Sequence, residues 1–540
     1  MALGVDDALL ETGSLLALVA ALAVSAAVLV WLDDGSRLDP LRERFVLGVP
    51  WGTVTVVAGL VAVYYLLQGG GRAGGPVVQG FRSWSVWYPQ GVLLSSFAHA
   101  SESHLTGNVF GTLAFAPLVE YIWRHHPEGA TRIQHPLARI GVFVLGVVVV
   151  GLAGALFVPG AVIGFSGVVF ALAGFALVVR PLTTVLALVG IRAVRLLYRA
   201  ATDPVVLAEA RPRFVSPSWA DIALQGHLFG ALVGILLAVS LLRLRDRRPP
   251  LRRVFFAALV FAVVQSLYAI YWFLGADEFV LFQAAGAAGV LLFATLVGVA
   301  TRPADRRPRV GPPLATVAVA LLAAVVALLA VTGLAYSVVS VSPGEAVTDG
   351  VEVRDYTVAY VDDTENQYVA ALDIPGVGSP LSATTSGVVV TSDRRDVWGL
   401  ATSAGRLAFD GGTTVTVGGV SWRETVSVDR TQWSFLDGNT TFRVEAFHDG
   451  ETHLLHTDTP AVSDARVDGT NVSISPTAEG YDLVVGDDSA TLFRGPVPAT
   501  NQTVTVGTLS FERVEDSLLV RYGDTELRLA EFSRSQRDRQ

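Results

Sequence analysis

Long apolar runs separated by short charged segments dominate the first 340 residues. Each run approaches or exceeds the roughly 20 residues that a transmembrane helix needs. The pattern therefore predicts a polytopic α-helical membrane protein. The predicted spans are 14–32, 50–67, 97–123, 140–158, 166–180, 182–197, 219–242, 254–274, 280–300 and 315–335.

From about residue 341 the pattern changes to short runs rich in Val, Thr and Tyr, with polar residues at every second position. Asp-Gly pairs interrupt these runs, at 410–411, 437–438, 449–450 and 468–469. Alternation with period two is typical of strands with one buried face, and Asp-Gly is a favoured hairpin turn. Residues 341–540 are therefore predicted to form an all-β C-terminal domain, of which a β-sandwich is one arrangement.

Arginines indicate which side of the membrane each connection faces. Three Arg follow the first run, and six lie in the connection 243–253. The positive-inside rule places both connections in the cytoplasm, and the N-terminus and residues 341–540 outside. The run 182–197 fits less well, because Arg192 and Arg195 lie near the end that alternation places outside.

Composition agrees with a membrane protein that has a large acidic part in water. The 540 residues are 51% hydrophobic, and the mean hydropathy of +0.51 is too high for a soluble globule. Residues 341–540 contain 31 acidic residues against 15 Arg, so they carry a charge of −16 and leave +7 for the rest. Nucleic-acid binding is therefore not expected. The absence of Cys excludes disulfides and thiolate sites.

Polar residues that are costly in hydrocarbon lie near the same end of three predicted spans. Ser166 and His227 belong to two different spans, and His104 and Asn108 share one face of a third because they are four residues apart. Buried polar groups are normally hydrogen-bonded to one another. Ser166 can then act as a nucleophile, His227 as its base, and His104 and Asn108 as donors to an oxyanion.

Glycines accompany two of these residues. Gly164 and Gly167 allow a substrate carbonyl to approach the Ser166 hydroxyl, and Gly230 and Gly234 give the second helix a small-residue face for close packing. Taken alone, Ser and Gly in an apolar span favour the interpretation of helix packing. The hypothesis of a site therefore depends on the joint presence of the four polar residues.

These residues, in this order, resemble those of the rhomboid intramembrane serine proteases. The resemblance covers about residues 50–242 and rests on three motifs: His104-x-x-x-Asn108, Gly164-x-Ser166-Gly167 and Gly226-His227-x-x-Gly230-x-x-x-Gly234. It implies that Ser166 and His227 form a catalytic dyad. It further implies that His104 and Asn108 line the oxyanion pocket.

The resemblance also implies supporting residues. His99 matches a further histidine of the loop before the third span, Glu120 a structural glutamate, and Phe170 an aromatic ring that stacks on the catalytic histidine. One departure concerns the Trp-Arg pair of the family's first external loop, because Ser83 separates Arg82 from Trp84 here.

The predictions divide the chain into four parts. The rhomboid-like core has six helices, and about three extra spans follow it in addition to the N-terminal helix. The parts are 1–49, an extra N-terminal transmembrane helix and cytoplasmic loop; 50–250, the protease core; 251–340, three additional transmembrane helices; and 341–540, the extracellular β-rich domain.

The implied function is that of a serine endopeptidase which cuts transmembrane segments of other membrane proteins near the outer face of the plasma membrane. Its partners would be transmembrane protein substrates and the lipid bilayer, without metal or cofactor, and the C-terminal domain could bind a surface partner. Two alternatives are a non-catalytic rhomboid-like protein that binds membrane clients and a multi-span transporter with an external domain. Retention of Ser and His argues against the first, and the absence of evident repeats against the second.

Two features of the C-terminal part remain. Asn439, Asn471 and Asn501 lie in Asn-x-Ser/Thr sequons and are candidates for glycosylation. The histidines of this part suggest a metal site only weakly, because they lie in a β-rich region and the sequence shows no acidic partners placed to orient them as ligands. They are His448, His453 and His456.

Overall fold

A computed structural model of the chain describes residues 7–32, 45–124, 135–206, 213–220, 223–275, 277–302, 313–338, 347, 350–365, 384–487 and 490–534. The Arg residues predicted to follow the first span lie outside these ranges, as does the predicted start of the C-terminal domain. The chain divides into two compact units. One consists of Met1–Arg211, Pro217–Trp272 and Val280–Val339, and the other of Pro212–Ser216, Phe273–Phe279 and Ser340–Gln540.

Helices form most of the described part of the first unit. They are α1 (Asp7–Leu32), α2 (Trp51–Ala62, continued by a π-helical turn at Val63–Leu67), α3 (Pro89–Leu94), α4 (Glu102–Arg124), α5 (Pro136–Phe157), α6 (Ser166–Val179), α7 (Pro181–Thr202), α8 (Leu224–Leu244), α9 (Leu251–Val264), α10 (Gln283–Ala300) and α11 (Leu314–Val338). Short 3-10 helices lie at Val46–Gly48 and Gln79–Phe81.

Five helices in the described ranges are long and apolar enough to cross a membrane, namely α5, α7, α8, α10 and α11. Their ends follow the breakers in the sequence: Pro136 and Pro181 occupy the first turns of α5 and α7, where a missing N–H is tolerated. Gly160, with φ +102°, lies in the connection between α5 and α6.

The helix α6 lies at the centre of this unit and is buried along most of its length. Its side chains share one apolar core with those of α2, α4, α5 and α8, and this core extends to α9 and α10. In a bilayer, such dense contact between helices comes from close packing of small and apolar residues rather than from exclusion of water. The central helix is thus held on several sides.

Two predicted spans differ from the structure. The third begins at Glu102 rather than near 97, because Ser101 caps the helix: its Oγ accepts the N–H of His104 at 3.2 Å. The predicted span 254–274 is wrong in its second half, since α9 ends at Val264 and Tyr271–Gly275 (β1) pairs with Glu278–Leu281 (β2). Polar residues at 265 and 266 break the apolar run, and the aromatic residues after them favour a strand.

Antiparallel strands dominate the described part of the second unit, which also contains a short α-helix, α12 (Ala404–Asp410), and a 3-10 helix at Asp393–Arg395. The strands are β3 (Gly350–Val353), β4 (Tyr356–Glu365), β5 (Thr384–Ser392), β6 (Val397–Ser403), β7 (Gly412–Gly419), β8 (Trp422–Phe435), β9 (Thr440–His448), β10 (Glu451–Thr457), β11 (Ala461–Val462), β12 (Asn471–Pro476), β13 (Tyr481–Gly486), β14 (Thr491–Pro496), β15 (Thr503–Val506), β16 (Leu509–Val514), β17 (Ser517–Tyr522) and β18 (Thr525–Ser533).

Three sheets arise from these strands. The largest has the order β10-β9-β8-β18-β17-β16-β15 with β7 paired to β8, and two four-stranded sheets have the orders β11-β12-β13-β14 and β3-β4-β5-β6. The large sheet shares a core with the β11–β14 sheet, which joins Trp433 and Phe511 to Ile474 and Leu483. Asp449 and Gly450, both with positive φ, form the tight turn between β9 and β10 that the Asp-Gly pair predicts.

The fold prediction, a helical membrane core followed by an all-β region, is thus confirmed.

Candidate active site

Ser166 is the first residue of α6, and the preceding loop fixes its position. Gly164 has φ +118°, a conformation that other residues rarely adopt, and its N–H donates to the carbonyl of Ser95 at 2.9 Å. Phe165 is fully buried and packs against Phe97, with 6.0 Å between ring centroids. The hydroxyl therefore lies at a helix N-terminus, where first-turn N–H groups have no acceptor within the helix.

The loop before Ser166 is tied to the segment that precedes α3. Ser83 N–H donates to the carbonyl of Val162 at 3.1 Å, forming an isolated β-bridge, and Arg82 Nη1 donates to the carbonyl of Ala161 at 3.0 Å. Arg82 and Trp84 are the residues at which the sequence departs from the family pattern. In the structure, Arg82 nevertheless holds the loop that leads to Ser166.

His227 lies in the first turn of α8, and its ring stacks on Phe170 of α6. The ring centroids are 4.1 Å apart and the planes differ by 11°. Phe261 of α9 meets the same phenyl ring edge-on at 5.5 Å. The Nδ1 atom of His227 is buried and has no hydrogen-bond partner within the described residues. Stacking therefore fixes the plane of the imidazole.

The helices α6 and α8 touch through their backbones at the level of Ser166 and His227. A Cβ added at Gly230 would overlap the carbonyl oxygen of Gly167, and one added at Gly234 would overlap that of Ala171. A Cβ at Gly167 would lie 3.4 Å from the carbonyl oxygen of Gly226. The glycines at 167, 230 and 234 are thus the residues that bring the two helices together.

His104 and Asn108 lie one turn apart on α4, beside the Ser166 loop. A Cβ at Gly164 would lie 2.7 Å from His104 Nε2, so the imidazole packs on this glycine. Asn108 is buried, and its Nδ2 has no hydrogen-bond partner in the part of the chain that is described. Its backbone carbonyl accepts the Thr112 hydroxyl at 2.7 Å. The unpaired amide is a donor available to a ligand.

His99 is fully buried and lies behind His104, with 5.2 Å between the ring centroids. Its backbone is fixed by Gln68, which accepts the His99 N–H at 2.8 Å and donates to the His99 carbonyl at 3.0 Å. His99 therefore packs against His104 from the loop that enters α4.

Glu120 lies on α4 and binds the start of α2. Its carboxylate accepts the N–H groups of Gly52 and Thr53, each at 3.0 Å, and the Thr53 hydroxyl at 3.1 Å. A buried carboxylate at a helix N-terminus satisfies free N–H groups and matches the positive end of the helix dipole. This contact links two helices of the core.

A cavity of about 770 Å³ collects the candidate residues. Ser166, His227, His104 and Asn108 all line it, together with Gly164, Gly167 and Gly230. Its walls also include two residues that sequence reasoning did not assign, Arg82 and Arg195. Their signal in the sequence was the charge itself, since Arg195 is a cation inside an otherwise apolar run.

The β unit contains the sequon asparagines and the three histidines that the sequence singles out. Asn439 and Asn501 are exposed and Asn471 is half-buried in β12. His448 Nε2 lies 3.6 Å from Glu424 Oε2 and 3.7 Å from Asp449 Oδ2. Two acidic groups thus surround one of the three histidines.

A known domain covers the chain from the segment just before α3 to the end of α8. Residues 84–244 match the Rhomboid domain. No curated protein matches the chain, and no solved structure matches it. The resemblance detected in the sequence is confirmed at the level of the domain, and the chain is a multi-pass membrane protein that contains a rhomboid domain at residues 84–244.

Proposed function

We propose that this protein is an intramembrane serine endopeptidase that cleaves transmembrane segments of other membrane proteins. The observation that carries the proposal is the shared cavity, which Ser166, His227, His104 and Asn108 all line. These residues come from α4, α6 and α8, and no sequence proximity forces them together. The combination supplies a nucleophile, a base and hydrogen-bond donors.

In the proposed reaction, the Ser166 hydroxyl attacks the scissile carbonyl carbon while His227 accepts its proton. The tetrahedral intermediate collapses when the same imidazole protonates the leaving amine. Water then repeats the sequence on the acyl-enzyme and releases the new carboxylate and the Ser166 hydroxyl. The stack on Phe170 holds the His227 ring in one plane through both proton transfers.

The developing oxyanion needs donors that are already in position. The Asn108 amide, which is buried and unpaired in the described structure, is one such donor. The His104 imidazole, packed on Gly164, is another. The N–H groups of the first turn of α6 contribute the positive end of the helix dipole.

The proposed location is the plasma membrane, with the cavity opening toward the outer face and the β-rich unit outside the cell. The distribution of Arg supports this orientation, because the connection after α8 is the most basic in the chain. Substrates would be single-pass proteins cut near their outer end. The β-rich unit could recruit these substrates. Because the unit is proposed to lie outside the cell, its sequons would be open to glycosylation.

Cleavage of a single-pass substrate in vesicles tests the proposal. Ser166→Ala and His227→Ala should each abolish cleavage, a loss of at least about 10³-fold, since removal of a nucleophile or its base leaves only the contribution of the remaining donors and binding. Product bands and mass spectrometry of the new termini measure the rate and the site.

Ser240→Ala is the matched control. Ser240 lies on α8, its hydroxyl donates to the Leu236 carbonyl within the same helix, and it is exposed. Full cleavage by Ser166→Ala would refute the proposed mechanism. Ser166-independent binding of the substrate without any cleavage by the wild type would instead favour a non-catalytic, client-binding protein.

A second prediction concerns the substrate. A helical peptide bond is closed by hydrogen bonds, so the segment around the cut must unwind before its carbonyl can reach Ser166. Gly or Pro near the cut should therefore accelerate cleavage, and replacement by Leu should slow it by about tenfold, because Gly and Pro disfavour the helix by about 1 and 3 kcal/mol. Equal rates across the Leu series would contradict this requirement.

A further inference from the structure

The wall of the cavity that holds Ser166 carries positive charge. Arg82 and Arg195 line it, and no Asp or Glu is among the described residues of its wall. Arg82 is engaged with the Ala161 carbonyl at 3.0 Å. A cationic cavity in an apolar surrounding is costly unless something negative enters it.

Arg195 is half-buried on α7 and lies against the helix that carries His104 and Asn108. A Cβ at Gly107 would lie 2.7 Å from Arg195 Nη2, so the guanidinium occupies the space that this glycine leaves open. Gly107 precedes Asn108 directly and follows His104 by three residues, which is roughly 4.5 Å along a helix axis. The guanidinium therefore packs on α4 at the residue before Asn108 and within one helical turn of His104.

Aromatic packing orients this arginine. The guanidinium carbon of Arg195 lies 5.8 Å from the centroid of the Phe110 ring, and Tyr198 meets the same ring edge-on at 5.3 Å. In the described structure Arg195 forms no ion pair with a carboxylate. Glu102, the acid at the start of α4, accepts a hydrogen bond from the Tyr65 hydroxyl at 3.3 Å.

We propose that Arg195 binds a carboxylate of the substrate, so that the protein selects transmembrane segments with an Asp or Glu close to the scissile bond. A guanidinium presents several N–H donors in a plane, which suits a carboxylate. Arg192, three residues earlier on α7, is exposed and does not line the cavity. The selection therefore belongs to Arg195 and not to the basic character of α7 in general.

This inference rests on the proposed protease function, and matched substrates test it. A substrate is prepared with Asp, Asn or Lys at each of three positions on either side of the cut, one at a time. For at least one position, kcat/KM should be about tenfold higher with Asp than with Asn, equivalent to about 1.4 kcal/mol, and lowest with Lys. The measurement is made in phosphatidylcholine vesicles and in vesicles that also contain phosphatidylglycerol.

Variants at residue 195 identify the binding group. Arg195→Gln should reduce the Asp-to-Asn ratio to about one, and Arg195→Glu should invert the order so that Lys is preferred. Arg192→Gln is the control and should keep the wild-type ratio. Because each ratio is measured within one protein preparation, a partly unfolded variant does not distort it.

The outcomes separate this proposal from the protease function. An equal rate for Asp and Asn substrates in a Ser166-dependent reaction would overturn the carboxylate subsite and leave the protease intact. If nothing is cleaved, the affinity of the same peptides decides: an Asp preference that Arg195→Gln removes supports the subsite in a client-binding protein, and equal affinities refute it. Equal rates for Asp and Asn substrates, combined with an effect of Arg195→Gln only in vesicles that contain phosphatidylglycerol, would show that Arg195 binds lipid headgroups instead and would refute the proposal.

Discussion

Substitution of Gly230 by Ala should separate α6 from α8 and misplace the proposed dyad. Real Cβ atoms stay at least 3.0 Å away from a carbonyl oxygen. A Cβ at residue 230 would have to move about 1 Å to reach that distance from the Gly167 carbonyl oxygen. Backbone cannot yield as a flexible side chain does, so the helices must shift. Overpacking of this kind costs about 1–3 kcal/mol of stability. A displacement of 1 Å in a reacting pair can cost about 10²-fold in rate.

The assay combines cleavage kinetics with thermal unfolding of the protein in detergent. Gly230→Ala should reduce kcat by about 10²-fold and lower the unfolding temperature. Gly234→Ala, one turn further along α8, should have the same effects because its Cβ would meet the Ala171 carbonyl. Gly146→Ala is the control and should change neither kcat nor the unfolding temperature, since no atom lies within 4 Å of the added Cβ. A Gly230→Ala protein with the wild-type rate would refute the view that this contact sets the geometry of the dyad.

Two further predictions concern other contacts. Glu120→Gln should destabilise the helical unit by about 1–3 kcal/mol, because the N–H groups of Gly52 and Thr53 donate to different carboxylate oxygens and Gln replaces one of these oxygens by an NH2 donor. Thermal unfolding of the full chain measures the loss, and an unchanged midpoint would contradict it. In the β unit, burial raises the pKa of Asp355, but the hydrogen bond and charge of Arg395 outweigh burial and hold the pKa below its usual range. The stability that this pair contributes should be complete above the usual pKa of an aspartate, about 4, and should be lost as the pH falls through the lowered value of the folded state. Hydrogen exchange of the adjacent strands, measured against pH, should show this loss of stability at low pH in the wild type and not in Asp355→Asn. An identical pH profile for both proteins would refute the contribution of the Asp355–Arg395 pair.

The sequence predicted the helices wherever a long apolar run ended at a strong breaker. Pro136 and Pro181 mark the starts of α5 and α7, and the structure follows them. The prediction failed after Val264, where Gln265 and Ser266 interrupt the run and the chain continues into a hairpin. Length alone does not show whether an apolar stretch continues as a helix, since aromatic residues are compatible with strands as well.

The candidate site was partly predictable because its polar residues are costly in an apolar span. Ser166 and His227 stand out on that ground, and the structure brings both to one cavity. The position of Arg195 in the cavity wall was not predictable, because it depends on the open space at Gly107, which lies 88 residues away in the sequence. The binding of Glu120 to Gly52, across 68 residues, is equally a product of the tertiary fold.

The shortness of α6 has a consequence for the supply of water. Its 14 residues rise roughly 21 Å, whereas the hydrocarbon core is about 30 Å thick. If Arg180 marks one boundary and the helix runs along the membrane normal, Ser166 would be roughly 9 Å below the other boundary. The proposed reaction consumes one water molecule per bond, and lipid at that depth provides none. A cavity of about 770 Å³ has room for on the order of twenty waters at about 30 Å³ each. The rhomboid domain would thus carry its own co-substrate into the bilayer, and a lipid tail that filled the cavity would act as an inhibitor.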